Sequence, residues 1–166
     1  MNKVIPYGRQ HIDQEDIDAV VEVLRGGWIT QGPKVEEFEQ AVAEYCGVKF
    51  AVAFNSGTSA LHGAMHAAGV GPGDEVITSP ITFAASANAA VYVGGRPVFV
   101  DIDPSTYCID IEKIVESITE RTRAVVPVDY AGYPLDMASI NQIAQKHDLV
   151  VIEDAAHALG ARRPSP

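Results

Sequence analysis

The sequence has little cysteine, few cations and no long apolar run, and each shortage argues against a class of protein. Cys46 and Cys108 are its two cysteines, and without a CxxC pair they indicate neither a zinc site nor a disulfide framework. Twelve Lys and Arg against 22 Asp and Glu give a net charge of -10, which argues against a nucleic-acid partner. No apolar stretch reaches the roughly 18 residues of a membrane span, and the N-terminus lacks the apolar run of a signal peptide. We therefore expect a cytoplasmic protein with no membrane partner.

The usual glycine-rich nucleotide motifs are missing as well. The Walker pattern GxxxxGK[ST] does not occur. Residues 69–73 are rich in glycine, but they follow a predicted helix instead of a strand, and Pro72 with Asp74 is typical of a turn. A nicotinamide oxidoreductase is therefore disfavoured.

The apolar pattern predicts strands that alternate with helices. Asp13 is a predicted N-cap for a helix that runs through Leu24, and Pro33 begins a second helix that ends at Gly47. Further helices are predicted at residues 58–68, 83–93, 110–117 and 137–147, and strands at residues 49–54, 75–78, 97–100, 124–128 and 149–152. This alternation indicates an α/β fold with a mainly parallel sheet.

Residues 55–61 (NSGTSAL) predict a helix start that is suited to binding a phosphate. Gly57 lets backbone N–H groups approach an anion, Ser56 and Thr58 add hydroxyl donors, and the helix dipole favours negative charge. The alternative is an ordinary N-cap, which this motif by itself favours because Ser and Thr are preferred capping residues.

Asp154 follows a predicted buried strand, where a carboxylate needs a partner for its charge. A protonated pyridine nitrogen is such a partner, and that pairing underlies pyridoxal phosphate chemistry. Phe83 lies in another predicted strand-to-helix loop, where it is placed to stack on a ring. The sequence thus suggests a cofactor with a phosphate end and a ring end.

Metal binding is the competing interpretation of the same region. Glu153, Asp154 and His157 are possible ligands, although Glu153 and Asp154 point to opposite faces if the strand continues. His62 and His66 have the i, i+4 spacing of helical metal ligands, but the Glu of HExxH is missing, so a structural role is favoured for both.

Several motifs occur in order along the chain: residues 27–33 (GWITQGP), 55–62 (NSGTSALH), 71–77 (GPGDEVI), 80–83 (PITF), 98–103 (VFVDID) and 152–158 (IEDAAHA). Together they resemble the DegT/StrS-type nucleotide-sugar aminotransferases, vitamin B6 enzymes of the aspartate aminotransferase fold (fold type I). Residues 5–10 (IPYGRQ), 61–62 and 156–160 (AHALG) look most like the UDP-sugar 4-aminotransferases of pseudaminic acid synthesis. The resemblance implies part of a fold type I large domain, without its C-terminal strands and small domain.

The resemblance also implies roles for individual residues. Gly57 and Thr58 would hold the phosphate of pyridoxal 5'-phosphate, and Phe83 would stack on its ring. Asp154 would pair with the pyridine nitrogen, and His157 would lie near the phenolic oxygen of the ring.

By the same resemblance, Tyr7, Trp28 and Thr30 would lie near a nucleotide-sugar pocket. The implied reaction moves an amino group from glutamate to a UDP-linked keto sugar, at the 4-keto position, and the implied assembly is a homodimer. The expected organisation is an N-terminal arm and helix (residues 1–32), a partial cofactor-binding domain (33–161) and a tail unlike the family (162–166).

The sequence departs from the family in two respects. Asp129 occupies a position where the family usually has His. The Schiff-base lysine of the family, in a Ser-Phe-His-x-x-Lys setting, is absent: the lysines are Lys3, Lys34, Lys49, Lys113 and Lys146, and none has that context. We therefore expect no catalytic residue of that kind and no turnover by these 166 residues alone. A non-catalytic ligand-binding fragment and a dehydratase-like relative remain alternatives.

Overall fold

The computed structural model describes residues 8–163, and the chain divides after Val52 into two compact units. The interpretation of Tyr7 lies outside the described residues. None of the helices within residues 8–163 is long and apolar enough to cross a membrane.

Within residues 8–52, the first unit contains two helices, and both were predicted. Helix α1 (Gln14–Arg25) begins with a capping box, because Asp13 accepts from the backbone of Asp16 while the Asp16 side chain accepts from the backbone of Asp13. Helix α2 (Pro33–Cys46) has Pro33 in its first turn and ends at Gly47, whose φ of 67° is the left-handed conformation that glycine adopts without strain.

The second unit is a parallel α/β sheet, as predicted. Its four strands have the order β2-β1-β3-β4, and every neighbouring pair is parallel. In chain order the elements are α3 (Gly57–Ala67), β1 (Glu75–Thr78), α4 (Ala85–Tyr92), β2 (Arg96–Phe99), α5 (Ile111–Ser117), β3 (Thr122–Val126), a 3-10 turn (Tyr130–Gly132), α6 (Met137–His147) and β4 (Val150–Val151).

Apolar side chains cover the sheet on both faces, as a parallel sheet requires. One core joins Val76 and Val126 of the sheet to Met65 of α3 and Ala89 of α4. The other core joins Ile77 and Val125 to Ile114 of α5 and Ile140 of α6. Successive residues of β1 and β3 thus serve opposite cores, and the sheet lies between two helical layers.

The strand predicted at residues 49–54 is wrong, since this segment has no strand assignment in the structure. Its β-branched and aromatic residues favour a pleated surface, but a strand forms only beside a hydrogen-bonding neighbour strand. Phe50 and Val52 are 74% and 70% exposed, so the segment does not occupy the sheet interior. The last strand, β4, is also shorter than the predicted residues 149–152.

A buried carboxylate ties three strands together at their amino ends. Glu75 of β1 is 1% exposed and accepts from Arg96, where β2 begins. It also accepts from Thr119 Oγ1 at 2.7 Å and from Arg121 Nε and Nη2 at 2.9 and 2.6 Å. Hydrogen bonds from Arg96, Thr119 and Arg121 lower the Glu75 pKa from 4.5 to about 2. This end of the sheet is therefore held by charge-assisted bonds.

The opposite end of the sheet has the topology that favours a ligand site. Strand β1 is followed by α4 on one face, whereas its neighbour β3 is followed by α6 on the other face. Where adjacent parallel strands send their helices to opposite faces, a ligand-sized crevice forms outside the carboxyl ends of the strands. The loop after β1, the 3-10 turn after β3 and the segment after β4 all end at this edge.

Candidate functional site

Asp154 lies at the carboxyl edge of the sheet and its backbone is fixed there. Its N–H donates to the Pro127 carbonyl at 2.9 Å, and its carbonyl accepts from the Asp129 N–H at 3.1 Å. A parallel bridge between Val128 and Asp154 therefore continues the pairing of β3 with β4 beyond the ends of both strands. The Asp154 side chain is half-buried, so its charge is partly desolvated.

The carboxylate of Asp154 has a partner that sequence reasoning missed. Ser86 Oγ donates to Asp154 Oδ2 at 2.7 Å, although the two residues are 68 positions apart. Ser86 is fully buried in the first turn of α4, where it also contacts Thr82 Oγ1 at 2.8 Å. The sequence offered one signal for Ser86: it is a hydroxyl residue in an otherwise Ala-rich segment, three residues after Phe83. Its partner depends on tertiary packing, which the sequence does not reveal.

Phe83 lies directly before α4 and its side chain is 75% exposed. A large exposed aromatic ring is available to a flat ligand, because stacking uses an open ring face. Ser86 N–H donates to the Phe83 carbonyl at 3.1 Å, so the same helical turn positions both residues. Phe83, Ser86 and Asp154 thus form one group at the carboxyl edge of the sheet.

The start of α3 has the geometry of an N-cap. Ser56 Oγ accepts from the Ser59 N–H at 3.2 Å, and Ser59 Oγ donates to Asn55 Oδ1 at 2.8 Å, so the capping interpretation of Ser56 is confirmed. The first N–H groups of a helix lack intrahelical acceptors, which leaves those of Gly57 and Thr58 suited to an anion. A side chain at Gly57 would meet nothing within 4 Å, so the space beside it is open. Capping and anion binding are therefore compatible here.

His157 is exposed in the turn that follows Asp154. Its carbonyl lies against Gly132, where an added Cβ would approach the His157 oxygen to 2.8 Å. Gly132 also has a φ of 84°, so a larger residue there would have a strained backbone and a Cβ that clashes with the His157 carbonyl oxygen. This close approach holds the turn that carries His157 against the 3-10 turn.

An acidic pair, Asp129 and Glu153, lies next to Asp154. Asp129 is 4% exposed, and its Oδ1 accepts from the Leu135 N–H at 3.1 Å. Burial, together with the charge of Asp129 and a hydrogen bond to it, raises the pKa of Glu153 above its ordinary value. Glu153 therefore interacts with Asp129 while its neighbour Asp154 binds Ser86, as expected for consecutive residues of an extended segment.

Asp129→Asn is expected to stabilise the chain at alkaline pH. Glu153 binds its proton more tightly in the folded chain, so this contribution to stability is present below the unfolded pKa and is lost as pH rises through the raised folded pKa. The amide introduced by the substitution would still accept from Leu135 and would donate to an ionised Glu153. Because Glu153 is exposed and solvent screens its interaction with Asp129, we expect a thermal midpoint roughly 1–2 °C higher than wild type at pH 8 and a smaller difference at pH 5. Asp148→Asn, at an exposed aspartate, is the matched control; an equal effect of Asp129→Asn at both pH values would contradict the charge interaction.

The remaining predicted residues belong to the first unit or form no cluster. Trp28 and Thr30 belong to the first unit, where Trp28 Nε1 donates to the Thr30 carbonyl at 2.6 Å. His62 lies on α3 with its ring 5.5 Å from that of Tyr92, centroid to centroid. Within residues 8–163 no three His, Cys, Asp or Glu side chains are grouped to hold a metal ion.

Together these groups fit a ligand with three features. A carboxylate whose second oxygen has only a weak contact suits a protonated ring nitrogen. An open phenyl face suits a flat ring, and a helix start with open space suits a phosphate. Helix α3 packs with α4 in one core, so the phosphate end and the ring end belong to the same rigid layer.

Comparison with known proteins gives a consistent result. The family model described as "DegT/DnrJ/EryC1/StrS aminotransferase family" matches residues 10–164. The spore coat polysaccharide biosynthesis protein SpsC of Bacillus subtilis is 50% identical over 158 residues, which are 95% of this chain and 41% of SpsC. The UDP-4-amino-4-deoxy-L-arabinose–oxoglutarate aminotransferase of Shewanella sediminis is 44% identical over 96% of this chain and 41% of its own length.

Solved structures with the same fold include PseC and NtdA. Helicobacter pylori PseC, an aminotransferase involved in the biosynthesis of pseudoaminic acid, superposes with a TM-score of 0.91 at 38% identity, over 98% of this chain and 44% of PseC. NtdA of Bacillus subtilis, with bound cofactor PMP, gives a TM-score of 0.84 at 38% identity, over 90% of this chain and 35% of NtdA. The chain thus spans about two fifths of the length of the relatives that it matches.

Proposed function

The chain belongs to the DegT/DnrJ/EryC1/StrS aminotransferase family, and from that premise we propose that it forms the cofactor-binding part of a pyridoxal-phosphate-dependent sugar aminotransferase. The proposed reaction transfers an amino group from glutamate to the 4-keto position of a UDP-linked sugar. Its support is the similarity to a UDP-sugar aminotransferase and to PseC, together with the motifs in residues 5–10 and 156–160. A homodimer is proposed on the same grounds.

The observation that carries this proposal is the convergence of Phe83, Ser86 and Asp154 at the carboxyl edge of the sheet. Bound there, pyridoxal phosphate would supply an electron sink for negative charge beside the amino-bearing carbon. Asp154 would hold the ring nitrogen in its protonated state, and Phe83 would lie on one face of the ring and exclude water from it. These groups orient the cofactor and tune its charge.

Other residues would secure the remainder of the cofactor. Gly57 and Thr58 would bind its phosphate at the start of α3, and His157 would lie near its phenolic oxygen. These residues all lie within residues 33–161, the range proposed for the partial cofactor-binding domain. Tyr7, Trp28 and Thr30 are proposed for the sugar-nucleotide pocket on resemblance alone.

We propose that these 166 residues bind the cofactor without a covalent link and do not turn over alone. Of the lysines that the structure describes, Lys34 lies on α2, Lys49 after it, Lys113 on α5 and Lys146 on α6. Because none of the five lysines has the sequence context of the family's Schiff-base lysine, borohydride treatment of the chain with pyridoxal phosphate should leave no stoichiometric mass increase. Conversion of a UDP-4-keto sugar with glutamate by the purified chain would overturn the expected lack of turnover.

The phosphate end is tested by two substitutions at one position. Gly57→Asp places a carboxylate in open space at the start of α3, where the helix dipole favours it but a phosphate is repelled. We expect the affinity for pyridoxal phosphate, measured by equilibrium dialysis, to fall by about tenfold or more. Gly57→Ala fills the same space without charge and should change the affinity by less than about threefold. Equal affinities for the two variants would show that the phosphate does not bind at the start of α3.

A further inference from the structure

We propose that Ser86 is a positioning residue: its hydroxyl fixes one oxygen of Asp154 so that the other oxygen is presented to the ring nitrogen of the cofactor. This inference rests on the proposed function, because it assigns how the ring end of that site is oriented. It concerns a residue that would act through Asp154.

The direction of the hydrogen bonds around Ser86 follows from counting protons. Three oxygens lie near Ser86 Oγ, namely Asp154 Oδ2 at 2.7 Å, Thr82 Oγ1 at 2.8 Å and the Phe83 carbonyl at 3.1 Å. Ser86 has one hydroxyl proton, and the carboxylate is the strongest acceptor at the shortest distance. The Thr82 contact must then use the proton of Thr82. The result is a directed chain in which Thr82 donates to Ser86 and Ser86 donates to Asp154.

These hydrogen bonds fix the orientation of the Asp154 side chain, which the backbone contacts of Asp154 leave free. The backbone is held on both sides by Pro127 and Asp129, so only rotation of the side chain can reorient the carboxylate. Ser86 is fully buried on a helix whose Ala89 and Ala90 lie in the core, so its hydroxyl is a rigid reference point.

The second oxygen of Asp154 retains capacity for a ligand. Within residues 8–163, Asp154 Oδ1 accepts a single hydrogen bond, which comes from the Ala156 N–H at 3.4 Å. A carboxylate oxygen accommodates about two hydrogen bonds, and a contact at this distance is weak. Oδ1 is therefore the oxygen to which a protonated ring nitrogen can bind.

A double-mutant cycle with Ser86→Ala and Asp154→Asn tests this assignment on the 166-residue chain. The measured quantity is the dissociation constant for pyridoxal phosphate at pH 7. In the wild-type background, Ser86→Ala should weaken binding by about tenfold, because the carboxylate loses its fixed orientation. In the Asp154→Asn background, which has no charged pair to orient, the same change should cost less than about twofold.

Two controls separate positioning from general stability. Ser139 makes an equivalent bond to Asp136 at the start of α6, at 3.1 Å, and Ser139→Ala should leave the affinity unchanged. Ser86→Cys preserves the volume and a weak donor, so it should bind more tightly than Ser86→Ala. Thermal midpoints of all variants show whether each one is folded under the conditions of the binding measurement.

The outcomes distinguish the two proposals. Equal losses from Ser86→Ala in both backgrounds, or tighter binding by Ser86→Ala, would overturn the positioning role while leaving the cofactor site in place. A wild-type chain that does not bind pyridoxal phosphate, or binds it independently of Asp154, would instead overturn the proposed function.

Discussion

Asp154→Asn is expected to lower the affinity of the chain for pyridoxal phosphate by about tenfold to a hundredfold, among the largest effects of any single substitution. The carboxylate forms a charge-assisted hydrogen bond with a protonated ring nitrogen, and the amide can offer only a neutral one. Asn also keeps the shape of the side chain, so the backbone bonds of Asp154 to Pro127 and Asp129 should persist. Equilibrium dialysis near pH 7 measures the loss directly.

The control for this substitution is Asp148→Asn. Asp148 is exposed at the end of α6 with a φ of 54°, a conformation that Asn also tolerates, so the change removes the same charge away from the site residues. We expect no change in affinity for this control. An Asp154→Asn chain that binds the cofactor as tightly as wild type would show that the carboxylate does not contact the ring.

Glu75→Gln is expected to produce the largest loss of stability. The substitution removes the negative charge that Arg96, Thr119 and Arg121 share, and one amide oxygen cannot accept all their hydrogen bonds. Because these residues lie at the amino ends of three strands, the thermal midpoint should fall by roughly 5 °C or more. Thermal unfolding followed by circular dichroism provides the measurement. Glu120→Gln, at an exposed glutamate one residue from Arg121, should change the midpoint by less than about 1 °C.

The pH dependence gives this prediction a second readout. The folded pKa of Glu75 is about 2 and the ordinary value is 4.5, so its contribution to stability is fully present above pH 4.5 and is lost as pH falls towards 2. The difference between wild type and Glu75→Gln should therefore be constant at neutral pH and shrink below pH 4.5. A difference that stays constant down to about pH 3 would show that the carboxylate charge is not what holds the strands.

Local signals in the sequence were sufficient for most elements of the fold. The N-cap at Asp13, the helix end at Gly47 and the turn at residues 71–74 depend on neighbours within a few positions, and the structure has helices and β1 where those signals place them. Residues 49–54 have equally strong local character but form no strand, because strand formation depends on a distant partner.

The site could be predicted only as separate pieces for the same reason. Asp154 was identified from the apolar strand pattern that precedes it, and Phe83 from its place in a predicted strand-to-helix loop. Ser86 was missed because its bond to Asp154 spans 68 positions, and the role of Glu75 was missed because Arg121 is 46 positions away. A hydroxyl or carboxylate that acts through a long-range contact has no local signature, since its meaning depends on the packing of strands and helices around it.

The central claim, that Asp154 recognises a ring nitrogen at this edge of the sheet, is tested most directly by changing the ligand instead of the protein. The measurement compares the dissociation constants of the wild-type chain for pyridoxal phosphate and for its deaza analogue, which has C–H in place of the ring nitrogen. We predict that pyridoxal phosphate binds at least about tenfold more tightly, because only its protonated nitrogen can donate to the carboxylate. Equal dissociation constants for the two ligands would contradict the account.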